Sequence, residues 1–173
     1  MAERLVVDAS AILALLRAEP TAPQVRAALT EPHVLEVHVP DLFWIEVLNV
    51  LVRRFGWALR ETLEAIRAVD EFGVITDAMD RPLALLTLDR MAAHGLTGYD
   101  AVYLALALSL DADLLTLDDR LARAAGPRGA LGWVPRGPHV SEAAERYARD
   151  RAELWADLGP YLATLRSIGG RTD

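Results

Sequence analysis

The chain has 173 residues and no cysteine, so one domain with a sizeable core is expected, without a disulfide framework or a thiolate metal site. Its hydrophobic fraction of 53% excludes a disordered chain. The net charge of −7 argues against broad neutralisation of nucleic-acid phosphates, but not against a nuclease that meets phosphate through a bound cation. Every basic residue is arginine. The start, Met1-Ala2-Glu3-Arg4, lacks the basic region and long apolar stretch of a signal peptide, and no apolar run reaches membrane-spanning length. A soluble, cytoplasmic protein is therefore expected.

Short aliphatic runs alternate with helical stretches, the pattern of an α/β fold with a parallel sheet. Leu5-Val6-Val7 reads as a buried strand closed by Asp8, and a helix follows from Ser10 to Ala18, ahead of Pro20. A second helix is expected over Pro23–Leu29, then a strand at Val37-His38-Val39. Asp41 is placed to cap a helix running to Phe55, which Gly56 would end. A helix over Ala58–Phe72 leads through Gly73 to a strand at Val74-Ile75. Pro82 suits the first turn of the next helix and His94-Gly95 its exit. Thr97 opens a very apolar helix, Tyr99–Leu110, followed by a strand at Leu114-Leu115 and a short helix from Asp118 to Ala125. The Gly- and Pro-rich segment 126–138 is expected to hold an edge strand at Leu131–Val134 and to end the core. Residues 139–173 then form a C-terminal helical extension with Tyr147, Leu154, Trp155 and Leu158 on its apolar side.

Four carboxylates stand out. Asp8 ends a strand, and in parallel α/β sheets ligands gather at the carboxyl ends of strands; capping the next turn is its structural alternative. Asp118 lies beyond the strand at Leu114-Leu115 and can equally be an ordinary N-cap, with Thr116 as a second oxygen donor and Asp119 as a rival in the first helical turn. Asp100 follows Thr97 at capping-box spacing, yet also stands at the mouth of a buried helix. Glu46 is the hardest to explain structurally. From Leu42 to Val52 only Glu46 and Asn49 are polar, and their i, i+3 spacing puts them on one face.

Carboxylates converging on one cleft repel one another, so some would stay protonated without a cation. An all-oxygen set suits Mg²⁺ or Mn²⁺ rather than zinc, and such an ion can hold a scissile phosphate and activate water toward phosphorus. His33, His38, His94 and His139 have no ligand-like spacing and read as surface or structural residues.

Val6-Val7-Asp8-Ala9-Ser10, the stretch from Pro40 to Leu51 around Glu46, Tyr99-Asp100-Ala101-Val102-Tyr103-Leu104-Ala105-Leu106-Ala107, and Leu115-Thr116-Leu117-Asp118 together resemble the PIN-domain family, specifically the VapC-type toxin ribonucleases. Order and spacing agree over roughly residues 4–135. The resemblance implies a three-layer α/β/α sandwich around a parallel sheet, with residues 1–138 as the nuclease domain. It also implies a Mg²⁺-dependent endoribonuclease, a homodimer, and a protein antitoxin that blocks the site. It carries over Asp8, Glu46, Asp100 and Asp118 as catalytic and metal-holding acids, with Ser10, Asn49 and Thr116 in support. Asp89, in an echo of the Asp118 segment, falls mid-helix and is set aside.

The chain departs from the family pattern in its C-terminal extension and its acidity. The second departure suggests narrow RNA recognition, or a local basic rim at residues such as Arg53 and, less strongly, Arg54. Three other readings compete. A receiver-like or dehalogenase-like phosphotransfer domain needs a lysine that this chain lacks. A non-catalytic PIN-like binding module would fit better had one of the acids been lost. A PIN nuclease of RNA processing rather than a toxin shares every feature of the site.

Overall fold

Leu5, Val6 and Val7 are wholly buried, as expected of a strand covered on both faces. They belong to β1 (Glu3–Val7), the middle strand of a five-stranded, all-parallel sheet in the computed structural model, which describes residues 3–126 and 129–130. The expected strand at 131–134, the helical extension at 139–173 and His139 lie outside the described residues.

From β1 the chain runs through α1 (Ala9–Leu16) and α2 (Ala22–Leu29) to β2 (Val34–Pro40). It continues through α3 (Leu42–Leu48) and α4 (Leu59–Asp70) to β3 (Val74–Asp77). Next come α5 (Arg81–His94), α6 (Gly98–Ser109), β4 (Asp113–Leu115), α7 (Asp119–Ala125) and the short β5 (Gly129–Ala130). The strand order is β3-β2-β1-β4-β5. Successive strands are laid down on one side of β1 and then, from β4 on, on the other. The gap between the carboxyl ends of β1 and β4 is thus the topological switch point, where open parallel sheets leave a crevice for ligands. The expected three-layer α/β fold is what the chain adopts. Helix α6, buried from Ala101 to Ala107, packs on β1, β2 and β4 and carries α5 on its outer side.

Two local expectations change. Asp41 does not cap α3; its Oδ2 accepts the Met79 N–H at 3.2 Å and ties the end of β2 to the chain leaving β3. The helix expected to run unbroken to Phe55 widens after Leu48 into a π-helical turn, Asn49–Arg54, closed by Phe55 N–H to Val50 O at 3.1 Å. Phe43, Val47 and Leu51 are all buried at four-residue steps. An α-helix drifts by about 40° over each such step, and the extra residue in a π turn removes that drift. Leu51 therefore stays beneath Val47.

Cap chemistry elsewhere matches expectation. Asp80 accepts the Leu83 N–H at 2.8 Å with Pro82 in the first turn, and α5 exits at Gly95 in the left-handed region, φ +64°. A Cβ on Gly95 would meet only an Arg120 guanidinium nitrogen at 3.9 Å, an ordinary contact. Substitution therefore costs backbone strain without a clash. Gly95→Ala is expected to lower unfolding stability by about 1 kcal/mol, and Gly95→Asn by less. Denaturant titration checks this, and equal losses for both would show that something other than φ governs the site.

Candidate active site

Asp8 follows β1 directly, and its N–H still donates to Leu115 O at 2.9 Å, so the sheet ladder fixes its backbone. Its side chain is buried. Thr116, fully buried just past β4, donates its hydroxyl to Asp8 Oδ2 at 2.7 Å, and Ser10 Oγ donates to the same oxygen. Each hydroxyl is anchored in turn: Ser10 Oγ accepts the Leu117 N–H at 3.0 Å, and Thr116 Oγ1 accepts the Asp118 N–H at 3.0 Å. Two loops at the switch point are thereby clamped onto one carboxylate.

Glu46 reaches the same region from α3. It is half-buried, and its Oε2 accepts the phenol proton of Tyr103, a residue buried on α6. Asp100 stands one turn before Tyr103 on that helix. Thr97, the N-cap, accepts the Asp100 N–H at 3.2 Å and donates its own hydroxyl to Asp100 Oδ2 at 2.8 Å.

The electrostatics join these groups. Burial raises Asp8 above the usual carboxylate range, the Ser10 and Thr116 hydroxyls oppose that rise, and the Asp100 charge adds to it. Burial likewise pushes Glu46 up to about 7; the Tyr103 hydrogen bond opposes this, and repulsion from Asp8 and Asp100 reinforces it. Burial and the Glu46 carboxylate push the Tyr103 phenol up as well, so it remains a proton donor. The structure thus brings Asp8, Glu46 and Asp100 within mutual electrostatic reach.

Asp118 is one link removed, joined to Asp8 through Thr116. It also makes the ordinary N-cap of α7, its Oδ1 accepting the Leu121 N–H at 2.8 Å. Asp119 lies in the first turn of α7, where its backbone carbonyl accepts from Arg123. Asn49 opens the π turn and is exposed; among the described residues no side-chain hydrogen bond joins it to Glu46. Asp89 pairs with Arg90 in mid-helix, away from any strand end. His38 is structural: buried on β2, it bonds Asp77 at 2.8 Å and Glu36 at 3.4 Å, and Glu36 is held by Arg4 at 2.7 Å. His33 and His94 are exposed.

Tyr103 is the functional residue not singled out from sequence. The available signal was a phenol inside the apolar run Ala101–Ala107, three residues after Asp100, because a buried tyrosine hydroxyl needs a partner.

Among the described residues, no three carboxylates or imidazoles are already gathered closely enough to enclose a metal ion. The donor set nevertheless fits a hard divalent cation by its chemistry. It is all oxygen and mutually repulsive, and Mg²⁺ commonly takes only one or two carboxylates while keeping several waters.

A family model described as the PIN domain matches residues 5–127. Ribonuclease VapC3 of Pyrobaculum aerophilum is 37% identical over 123 residues, covering 69% of this chain and 92% of that protein. The solved structure of PAE2754 from the same organism superposes with a TM-score of 0.52 at 25% identity, over 73% of this chain and 82% of that one. VapC20 of Mycobacterium tuberculosis, described as a sarcin-ricin loop cleaving toxin, gives 0.58 at 19% identity over 69% and 94%. A toxin–antitoxin complex from Klebsiella pneumoniae gives 0.59 at 15% identity over 75% and 98%. The last two likenesses bear on fold alone.

The raised carboxyls set the pH response of the metal-free protein. Folded Glu46 and Asp8 hold protons more tightly than their unfolded counterparts, so their contribution to stability is present at low pH and lost as pH rises through the folded values. Without divalent cations, Tm is expected to fall between pH about 4.5 and about 7, and Glu46→Gln should flatten the fall. A metal-free Tm that climbs over this range would contradict the assignment of these two groups.

Proposed function

Because the chain belongs to the PIN-domain family, we propose that it is a divalent-metal-dependent endoribonuclease, Mg²⁺ or Mn²⁺ being the ion, and the toxin of a VapBC-type toxin–antitoxin pair. The observation that carries this reading is the convergence of Asp8, Glu46 and Asp100 at the switch point, where two of the three are driven toward protonation by burial and by one another. A cluster held together against repulsion suits a cation as its missing partner.

Asp8, Glu46, Asp100 and Asp118 would hold that cation, which supplies positive charge at a scissile phosphate and acidifies an attacking water. The remaining residues do work of their own. Ser10 and Thr116 fix Asp8 Oδ2, so the carboxylate cannot swing when charge arrives beside it. Tyr103 holds Glu46 Oε2, and the carboxyl, pushed up to about 7, is suited to transfer of a proton near neutrality. Thr97 orients Asp100 from the mouth of α6.

The absence of lysine from the chain leaves arginine as the only permanently charged side chain for phosphate. On this reading the substrate is RNA, cut to leave 5′-phosphate and 3′-hydroxyl ends. The protein acts in the cytoplasm as a homodimer, and an antitoxin protein covers the cleft. Ribonuclease VapC3 supports the activity.

Purified full-length protein should cleave RNA with Mg²⁺ or Mn²⁺, lose activity in EDTA and recover it on adding metal back. Asp8→Asn and Asp100→Asn should each abolish cleavage while unfolding cooperatively. Parent-like cleavage by either variant would refute the site. Tyr103→Phe tests the positioning of Glu46 separately. Mn²⁺ affinity, read from the metal-induced rise in Tm, should weaken by roughly tenfold, and an unchanged rise would remove Tyr103 from the site.

A further inference from the structure

Helix α1 begins at Asp8, and α3 carries Glu46 in its second turn; the two helices pack against each other. They also end together. Arg17, the C-cap of α1, lies over the Phe55 ring at 4.1 Å from its centroid, and Arg54, the last residue of the π turn, lies over the same ring at 5.6 Å. Arg53 is exposed beside them. Among the described residues, the carboxylate paired with this group is Glu19, which binds Arg17, and no ion pair engages Arg53 or Arg54. Three guanidiniums against one carboxylate make a local surplus of positive charge in a chain whose net charge is −7.

Arg54 ends the π turn beside Phe55, whose ring is shared with Arg17 from the end of α1. The planar guanidiniums are held by stacking, which leaves N–H groups at their edges free for anions. The distance from either acid to this arginine group is set by the helices, each about eight residues or about 12 Å along its axis. That is a reach of a few nucleotides.

Resting on the ribonuclease reading above, we infer that the Arg17–Phe55–Arg54 stack, with Arg53, is the phosphate-binding track for the single strand of RNA that leaves the Asp8–Glu46–Asp100 cleft. RNA is favoured over an acidic protein segment because the stack is aligned with the cleft by the two helices that carry its acids. A polyanion threading the cleft meets this positive group next. Narrow recognition follows, since the surplus charge is local in a chain whose net charge is −7.

The test is binding of a short fluorescent single-stranded RNA of mixed sequence to the full-length protein in EDTA, where cleavage is silent. Arg53→Gln combined with Arg54→Gln should weaken binding by roughly three- to tenfold and reduce the slope of log affinity against log salt by about 0.7 for each phosphate that is no longer neutralised. Glu19→Gln should act in the opposite direction, because it frees the Arg17 guanidinium and tightens binding. Arg60→Gln removes an arginine paired with Glu64 on α4 and should leave affinity unchanged.

A purely structural role for the stack predicts no tightening in Glu19→Gln and no change of salt slope in the double variant; either result overturns the inference. Equal losses in Arg60→Gln and the double variant would also overturn it, by showing that only overall charge matters. If the parent cleaves RNA but the variants bind like the parent, this inference fails alone. If the parent neither binds nor cleaves RNA, it falls together with the ribonuclease reading.

Discussion

Asp8 is a carboxylate placed where a central strand ends, almost wholly shielded from water, and the rest of the site is arranged around that burden. A buried carboxylate is tolerated only if its oxygens are bonded or its charge is removed. The fold does part of each. Ser10 and Thr116 bring hydroxyls to Oδ2 from two different loops, and burial lifts the carboxyl toward its neutral form. The hydroxyls are themselves held by the Leu117 and Asp118 N–H groups, so the loop after β4 takes its shape from the need to satisfy one side chain after β1. Strand order makes this economical, because β1 and β4 are neighbours whose connections run to opposite sides.

Much of this is legible in the chain itself. Alternating aliphatic runs and caps point to the parallel α/β order, since Leu5-Val6-Val7 and the Ala101–Ala107 stretch of α6 are apolar runs that must be buried. Glu46 is conspicuous because nothing bland accounts for a lone acid in Leu42–Val52. Asp8, Asp100 and Asp118 are each ambiguous with a cap, and the ambiguity is real. Asp118 does cap α7, and Asp100 shares Thr97 with the end of α6. Capping and site placement coincide because helix N-termini and strand carboxyl ends meet at the same rim.

What stays hidden in the sequence is set by tertiary packing. A four-residue apolar rhythm is compatible with either an α-helix or a π turn, so the change at Asn49 leaves no mark in the pattern. Asp41 looks like a cap, but Met79 N–H, brought close by the pairing of β2 with β3, takes its carboxylate instead. Tyr103 looks like one more core residue of α6. Only the packing of α6 across the sheet shows that its hydroxyl ends on Glu46. Asn49 shares a helix face with Glu46 in sequence terms, yet that face gives its side chain exposure, and only its backbone N–H meets Glu46, at the carbonyl.

A cluster of like charges has no internal attraction to hold it, so its geometry has to be imposed from outside. Here each of the three coupled acids is carried by a different rigid element: Asp8 by the β1 ladder, Glu46 by α3 and Asp100 by the first turn of α6. The strand and helices fix where each carboxylate is rooted, and the hydrogen bonds from Ser10, Thr116, Tyr103 and Thr97 restrain how far each can swing. Tyr103 strengthens the constraint by linking α6 to α3 through the very groups that repel. The repulsion is therefore not dispersed by relaxation. It adds to burial, the larger cause, in raising the proton affinity of Glu46 and Asp8.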